Sequence, residues 1–291
     1  MKNKQDKKQA ELLKQERVFK YLWLFMPLAL CGVLYSLIQV GLEEIVKIET
    51  GYAAFISALI VAPISLKTYT YAVVRKAEER KASPSELRFI PRLFFGGIAL
   101  AVLVVCIQLV AVVLCGELRI STGNSLFEGL ANALGIAIFF GIFEELVSRG
   151  VILRISEKYI GSILAILISA IIFGMPHAFN PGATILTGVA ITIQAGITLA
   201  LIYIVTRNLW ATIGVHMGWN FSVTLLGIGD VGAFQTTISG PSWLIGNKSG
   251  IEDSLVVIGT WLIIAFMFLV ISIRKRLFVS YNTAHKQKHP I

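Results

Sequence analysis

The sequence predicts an all-α, polytopic membrane protein with about eight transmembrane helices and both termini on the inner side. Three observations lead there. Of 291 residues, 56% are hydrophobic and only 15% are charged, and the mean hydropathy is +0.76; a soluble domain carries about 25% charged residues. Apolar runs close to the ~20 residues needed to cross a bilayer recur along the whole chain. The 26 Lys and Arg residues alternate between crowded and nearly empty loops. That alternation also accounts for the net charge of +9. The basic residues lie in short blocks between apolar runs, as topology signals do, so nucleic acid is not an expected partner.

The first twenty residues hold Lys2, Lys4, Lys7, Lys8, Lys14, Arg17 and Lys20. Residues 1–17 therefore read as a basic inner tail, 18–273 as the transmembrane domain, and 274–291 as a second basic inner tail. Within the domain, spans are expected at 18–40, 52–74, 91–115, 127–153, 160–176, 183–206, 209–228 and 254–273. With the N-terminus inside, every Lys and Arg falls on the inner side except Lys47, Arg119 and Lys248 in outer loops and Lys67 within the second span. Arg149, Arg154 and Lys158 are counted inside in this scheme. The reading places the protein in the cell membrane of a prokaryote.

The connecting stretches are less informative. Ser83-Pro84-Ser85 starts a turn or a short surface helix. The longest outer loop, 229–253, is rich in Gly and Ser and reads as a connector, with a cover over an outer cavity mouth as the alternative. Cys31, Cys106 and Cys115 fall in or at the end of apolar runs, as small buried hydrophobes, with no disulfide or metal spacing. No internal repeat suggests the inverted halves of a transporter.

Three stretches carry ionisable groups into apolar runs, where they are costly and signal either function or a tightly paired structural site. They are Phe143-Glu144-Glu145-Leu146-Val147-Ser148-Arg149, Phe173-Gly174-Met175-Pro176-His177 and His216-Met217-Gly218-Trp219-Asn220. Within each, the key residues stand four apart and share a helical face: Glu145 with Arg149, Phe173 with His177, His216 with Asn220. Glu144 is turned about 100° from Glu145. An arginine paired with Glu145 neutralises it and leaves Glu144 for another neighbour. At 1.5 Å per residue, Glu144 lies roughly 20 Å from an inner helix end at Glu157, and His177 roughly 25 Å from Ile160. His216 and Asn220 lie roughly 12 and 18 Å from Asn208. The three stretches can therefore meet near mid-membrane.

A carboxylate, two imidazoles and an amide can deprotonate water and hold an oxyanion, the two needs of amide hydrolysis. Other intramembrane chemistries lack their residues. H-E-x-x-H is absent, and Gly123-Asn124-Ser125 is followed by Leu126 rather than Gly. Gly227-Ile228-Gly229-Asp230 has no second intramembrane aspartate to work with, so Asp230 reads as a helix terminator. A buried polar network that only locks helices together, and a proton-coupled transporter using the same Glu and His, are the non-hydrolytic alternatives.

In order and on successive helices, E-E-x-x-x-R, F-x-x-x-H and H-x-x-x-N resemble the CAAX-protease and bacteriocin-processing family, the Abi-type intramembrane proteases that include the Rce1-type prenyl endopeptidases. The motif core runs over about 127–228, and family members commonly have eight spans. The resemblance implies an intramembrane endopeptidase acting on a membrane-associated peptide or protein in the lipid bilayer. It implies that Glu144 and His177 activate water, that His216 and Asn220 stabilise the oxyanion, and that Glu145, Arg149 and Phe173 support the site. It also leaves room for a non-catalytic scaffold or bacteriocin-immunity protein. No cofactor is expected. The alternative is a zinc site on Glu144, His177 and His216. Against it, each histidine stretch offers a single imidazole, and no carboxylate is evident behind either ring. Pro176 is placed to kink the helix just before His177.

Overall fold

The computed structural model describes residues 26–77, 85–123, 125–228, 232–246 and 251–280. Most of both basic tails, the first eight residues of the first expected span, Ser83, Pro84, Asp230 and Lys248 lie outside the described residues. Among those described, seven helices are long and apolar enough to cross a membrane, and the chain is an integral, multi-pass, all-helical protein.

The first is α1, Met26–Glu44. Helix α2, Thr50–Thr68, continues as a π-helix over Tyr69–Ala77. Helix α3, Pro91–Cys115, starts on a proline, whose missing N–H is one of the donors a first turn leaves unused anyway. Helix α4, Leu126–Glu145, is capped by the Ser125 side chain, which accepts from the Glu128 N–H. It runs on without a break through a π-helix, Leu146–Leu153, into α5, Arg154–Ile160. Helix α6, Ser162–Gly174, tightens into a 3-10 turn over Met175–Phe179, where Pro176 cannot donate to the α-ladder. Helices α7, Ile185–Ile191, and α8, Ile197–Thr206, are joined by a third π-segment, Thr192–Gly196. Helix α9, Leu209–Leu225, precedes the outer loop, and α11, Leu255–Arg274, ends the bundle.

Eight spans are expected from the sequence, and α9 is the one that falls short of the length needed. Its 17 residues cover about 25 Å, at the lower limit for crossing the hydrocarbon. It is also well enclosed, packed between α3 and α4 with none of its residues exposed. Small residues make that possible. Gly214 and Gly218 stand one turn apart on α9, and a Cβ at either would run into the backbone of α3 at Phe94 or Ile98. On another flank, Met217 fills the space above Gly141 of α4. Without a hydrophobic drive between helices in lipid, such close backbone approach is what holds them. Gly214 and Gly218 thus seat α9 and leave the face bearing His216 and Asn220 for the interior.

The outer faces of α3, α6 and α11 expose Phe95, Leu103, Val110, Ile163, Ile171, Ile263 and Phe266. A soluble protein would bury such a belt. Here it faces lipid.

Two features were not visible in the hydropathy pattern. A two-stranded antiparallel sheet joins β1, Glu117–Thr122, to β2, Phe234–Ser239, in the register Glu117 with Ser239 through Thr122 with Phe234. This sheet, the short helix α10, Ser242–Ile245, and the 3-10 turn Ile251–Asp253 give the long outer loop a defined course. Near the opposite end, Glu86 on the 3-10 turn Ser85–Leu87 is buried, accepts from the Tyr69 hydroxyl at 3.2 Å and lies 3.6 Å from Arg154. Glu157 is held by the Arg207 guanidinium and by the Ser162 hydroxyl. These ties fix the ends of α2, α5, α6 and α8 against one another.

Candidate functional site

The site forms where the π-segment after α4, the end of α6 and the interior face of α9 converge. π-register is uncommon and recurs at functional sites; here two of the three π-segments meet at a single arginine. Arg149, in the first, is fully buried and donates through Nη1 to Glu145 Oε1 at 2.7 Å. Its Nη2 donates to the carbonyls of Gly196 at 2.9 Å and Ala195 at 3.3 Å, both in the second. The guanidinium carbon lies 4.4 Å from the centre of the Phe173 ring, within cation–π range. The charge assignment from the sequence needs correction here. Arg149, counted there as an inner topology charge, is a buried structural cation, because Glu145 and two backbone carbonyls satisfy it inside the bundle.

Glu145 also faces α9. Its Oε1 lies 3.2 Å from His216 Nδ1, so the expectation that neither imidazole has a carboxylate behind it is wrong for His216. An ion-paired carboxylate only accepts, so Nδ1 carries a proton and Nε2 is the nitrogen left for chemistry. Nε2 lies 3.8 Å from Glu144 Oε2, beyond hydrogen-bond range and close enough for both to bind one water. Glu144 Oε2 is buried with no hydrogen bond among the described residues. A buried acceptor in that condition calls for a donor from water or substrate.

Phe173 sits at the hub. Its ring centre is 5.5 Å from that of His216 and 5.5 Å from that of His177. His177 lies in the 3-10 turn, with Nδ1 3.0 Å from the Phe173 carbonyl. A carbonyl cannot donate, so Nδ1 carries the hydrogen and Nε2 presents its lone pair. The 3-10 turn sets this aim: Gly174 packs against the Thr192 backbone, and the chain tightens around Pro176 instead of continuing as α-helix.

Phe173, His177, His216 and Asn220 line one cavity of about 40 Å³, with Gln194, Trp219, Glu252, Trp261 and aliphatic side chains. That volume admits about three waters and no peptide, at 10–15 Å³ per water. The Gln194 Oε1 atom is buried with no hydrogen bond among the described residues. Of the residues singled out in the sequence, Glu144, Glu145 and Arg149 stand outside this lining, Glu145 and Arg149 behind His216 and Glu144 beside it. Glu144 is therefore nearest to His216, whereas the resemblance pairs it with His177. Among the described residues no three His, Cys, Asp or Glu side chains are grouped closely enough to hold a metal ion.

The sequence reading missed Glu252. It sits in the outer loop that composition marked as a connector, and it forms part of the cavity wall. The one available signal was the acidic pair Glu252-Asp253 set directly before an apolar span. Trp219 and Gln194 were also missed. Trp219 lies inside the H-x-x-x-N stretch and lines the cavity together with Glu252.

Residues 125–222 match the family model described as type II CAAX prenyl endopeptidase Rce1-like. The matched third of the chain contains Glu144, Glu145, Arg149, Phe173, His177, His216 and Asn220, and it ends well before Glu252. No curated protein and no solved structure matches the chain.

Proposed function

From an Rce1-like match over its motif-bearing third, we propose that this chain is an intramembrane endopeptidase hydrolysing a peptide bond in a membrane-associated peptide or protein. One observation carries the reading. His177, His216 and Asn220 converge on a small water-sized cavity inside a bilayer-spanning bundle, with Glu144 3.8 Å from His216 Nε2. A helix lock with no chemical role needs neither a cavity nor an unbonded carboxylate oxygen beside it.

In this reading Glu144 takes a proton from the attacking water, and the Nε2 lone pair of His177 shares in orienting that water. The substrate carbonyl carbon gains the water oxygen, and negative charge gathers on the carbonyl oxygen. Asn220 Nδ2 donates to that oxyanion, and His216 stands beside it as the second oxyanion residue. Glu145 and Arg149 act through His216 as positioning residues. Glu145 fixes the ring orientation, and Arg149 pairs with Glu145 and ties it to the π-segment Thr192–Gly196. Phe173 spaces the two imidazoles.

The proposed reaction uses no metal. Purified protein is expected to keep its activity through prolonged dialysis against a strong chelator, and loss restored by Zn²⁺ overturns that version. Asn220→Ala is expected to lower kcat about 10²–10³-fold with KM little changed. An Asn220→Ala variant with full kcat removes the oxyanion role. The family description makes a farnesylated peptide with a CAAX ending the first substrate to offer.

A further inference from the structure

We propose that Glu252, on the outer loop, is a catalytic residue of the same site: the general acid that protonates the leaving amine. The inference rests on the peptidase reading above. It comes from the cavity itself, whose wall puts a carboxyl alongside His177 and His216.

Three contacts build Glu252 into the wall. The Gln194 amide donates to its backbone carbonyl at 3.0 Å. The Trp219 indole stands beside its side chain in the same cavity wall. On either side Ile251 is buried, and Asp253 accepts from the Thr187 hydroxyl at 3.1 Å. The 3-10 turn Ile251–Asp253 is thus pinned to α7 and to the π-segment Thr192–Gly196. A plain connector has no reason to aim a carboxyl at two imidazoles through that many ties.

The titratable groups facing Glu252 are His177 at the end of α6, His216 on α9 and its own neighbour Asp253. Partly exposed by surface area yet deep among packed atoms, the carboxyl is pushed up chiefly by burial and further by Asp253. His177, Trp219 and His216 pull the other way without cancelling the rise. A carboxyl whose surroundings favour its proton suits a leaving amine, because an amide nitrogen departs only once protonated. Two carboxyls in different surroundings can thereby divide the work, one as base and one as acid.

The steps balance. Water adds its oxygen to the carbonyl carbon and gives one proton to Glu144. The tetrahedral intermediate collapses, the C–N bond breaks, and the nitrogen takes the proton of the Glu252 carboxyl, leaving a carboxylate. The proton on Glu144 then restores Glu252 through the cavity water, and the enzyme returns to its starting state.

The test compares two leaving groups in purified full-length protein. One probe is a farnesylated peptide with a CAAX ending. The other is its thioester analogue at the scissile bond, whose thiol, with a pKa near 8.5, leaves without a proton. Glu252→Gln keeps the size of the side chain beside Trp219. It is expected to lose roughly 10²-fold or more of kcat on the amide and under about threefold on the thioester. Glu252→Asp is expected to restore part of the amide rate. Glu144→Gln should fall on both probes, since both need activated water. If the Gln variant does not fold, Glu252→Ala takes its place in the same comparison. Equal loss on both probes, or no loss on either, overturns the general-acid role and leaves the peptidase reading standing. Wild-type protein that cleaves neither probe, or a Glu144→Gln variant that cleaves both at the wild-type rate, overturns both.

Discussion

Replacing Arg149 with Ala removes the cation from a pair in which both side chains are fully enclosed, with Nη1 and Oε1 2.7 Å apart. Glu145 is then left as a buried charge whose remaining neighbour is His216. Breaking a buried pair from one side costs about 3–5 kcal/mol, because the partner's charge stays uncompensated. The carbonyls of Ala195 and Gly196 lose their donor as well. At roughly 2–4 °C per kcal/mol, as for soluble domains of comparable size, the melting temperature in detergent should fall by about 6–20 °C. Arg149→Lys should recover little, since one ammonium cannot replace a fork that reaches a carboxylate and two carbonyls. The double variant Glu145→Gln with Arg149→Met should melt well above the sum of the two single changes, because no charge is stranded. Intrinsic tryptophan fluorescence during heating reads the wild type, Arg149→Ala, Arg149→Lys, the double variant and its two component single changes. A shift below about 2 °C for Arg149→Ala, or simple additivity in the double variant, would refute the buried-pair argument.

Three further outcomes follow from particular contacts. Gly214→Ala places a methyl group on the Phe94 carbonyl of α3, and such overpacking should cost about 1–3 kcal/mol; unchanged melting would mean that α3 and α9 do not meet there. Glu252→Gln should match wild-type stability at low pH and exceed it at high pH. A carboxyl whose pKa is raised by burial contributes stability that is complete below its unfolded value and is lost as pH rises through the folded value; a stability difference constant from pH 5 to 9 contradicts this. In a variant lacking the three native cysteines, a cysteine at the exposed Arg119 should react with an impermeant thiol reagent in intact cells, and one at Lys275 only after permeabilisation. The reverse pattern overturns the inner placement of the termini.

Local periodicity made the core of the site legible. Glu145 and Arg149 are neighbours because residues four apart share a helix face, and the same rule brings His216 and Asn220 to one side of α9. The rest is non-local. The partners Glu117–Thr122 and Phe234–Ser239 pair across more than a hundred residues, and no hydropathy window links them. The position of Glu252 rests on the tie of its own carbonyl to Gln194 and of Asp253 to Thr187, neither of which has a spacing rule. π-register leaves no periodic trace either, so the meeting of Arg149 with Gly196 could not be anticipated. The shortness of α9 was masked for a related reason. Its apolar run extends to Ile228, but the helix stops at Leu225 and a Gly227 with φ of 66° turns the chain.

The central claim is that this chain cleaves peptide bonds in the membrane through Glu144. The most direct measurement compares membrane fractions from cells carrying the wild type with those carrying Glu144→Gln, at equal expression and equal melting temperature, by mass spectrometry of newly formed protein N-termini. The account predicts a set of new termini, within or next to membrane-embedded segments, present with the wild type and absent with Glu144→Gln. Identical sets of termini from two equally folded and equally abundant proteins would contradict it.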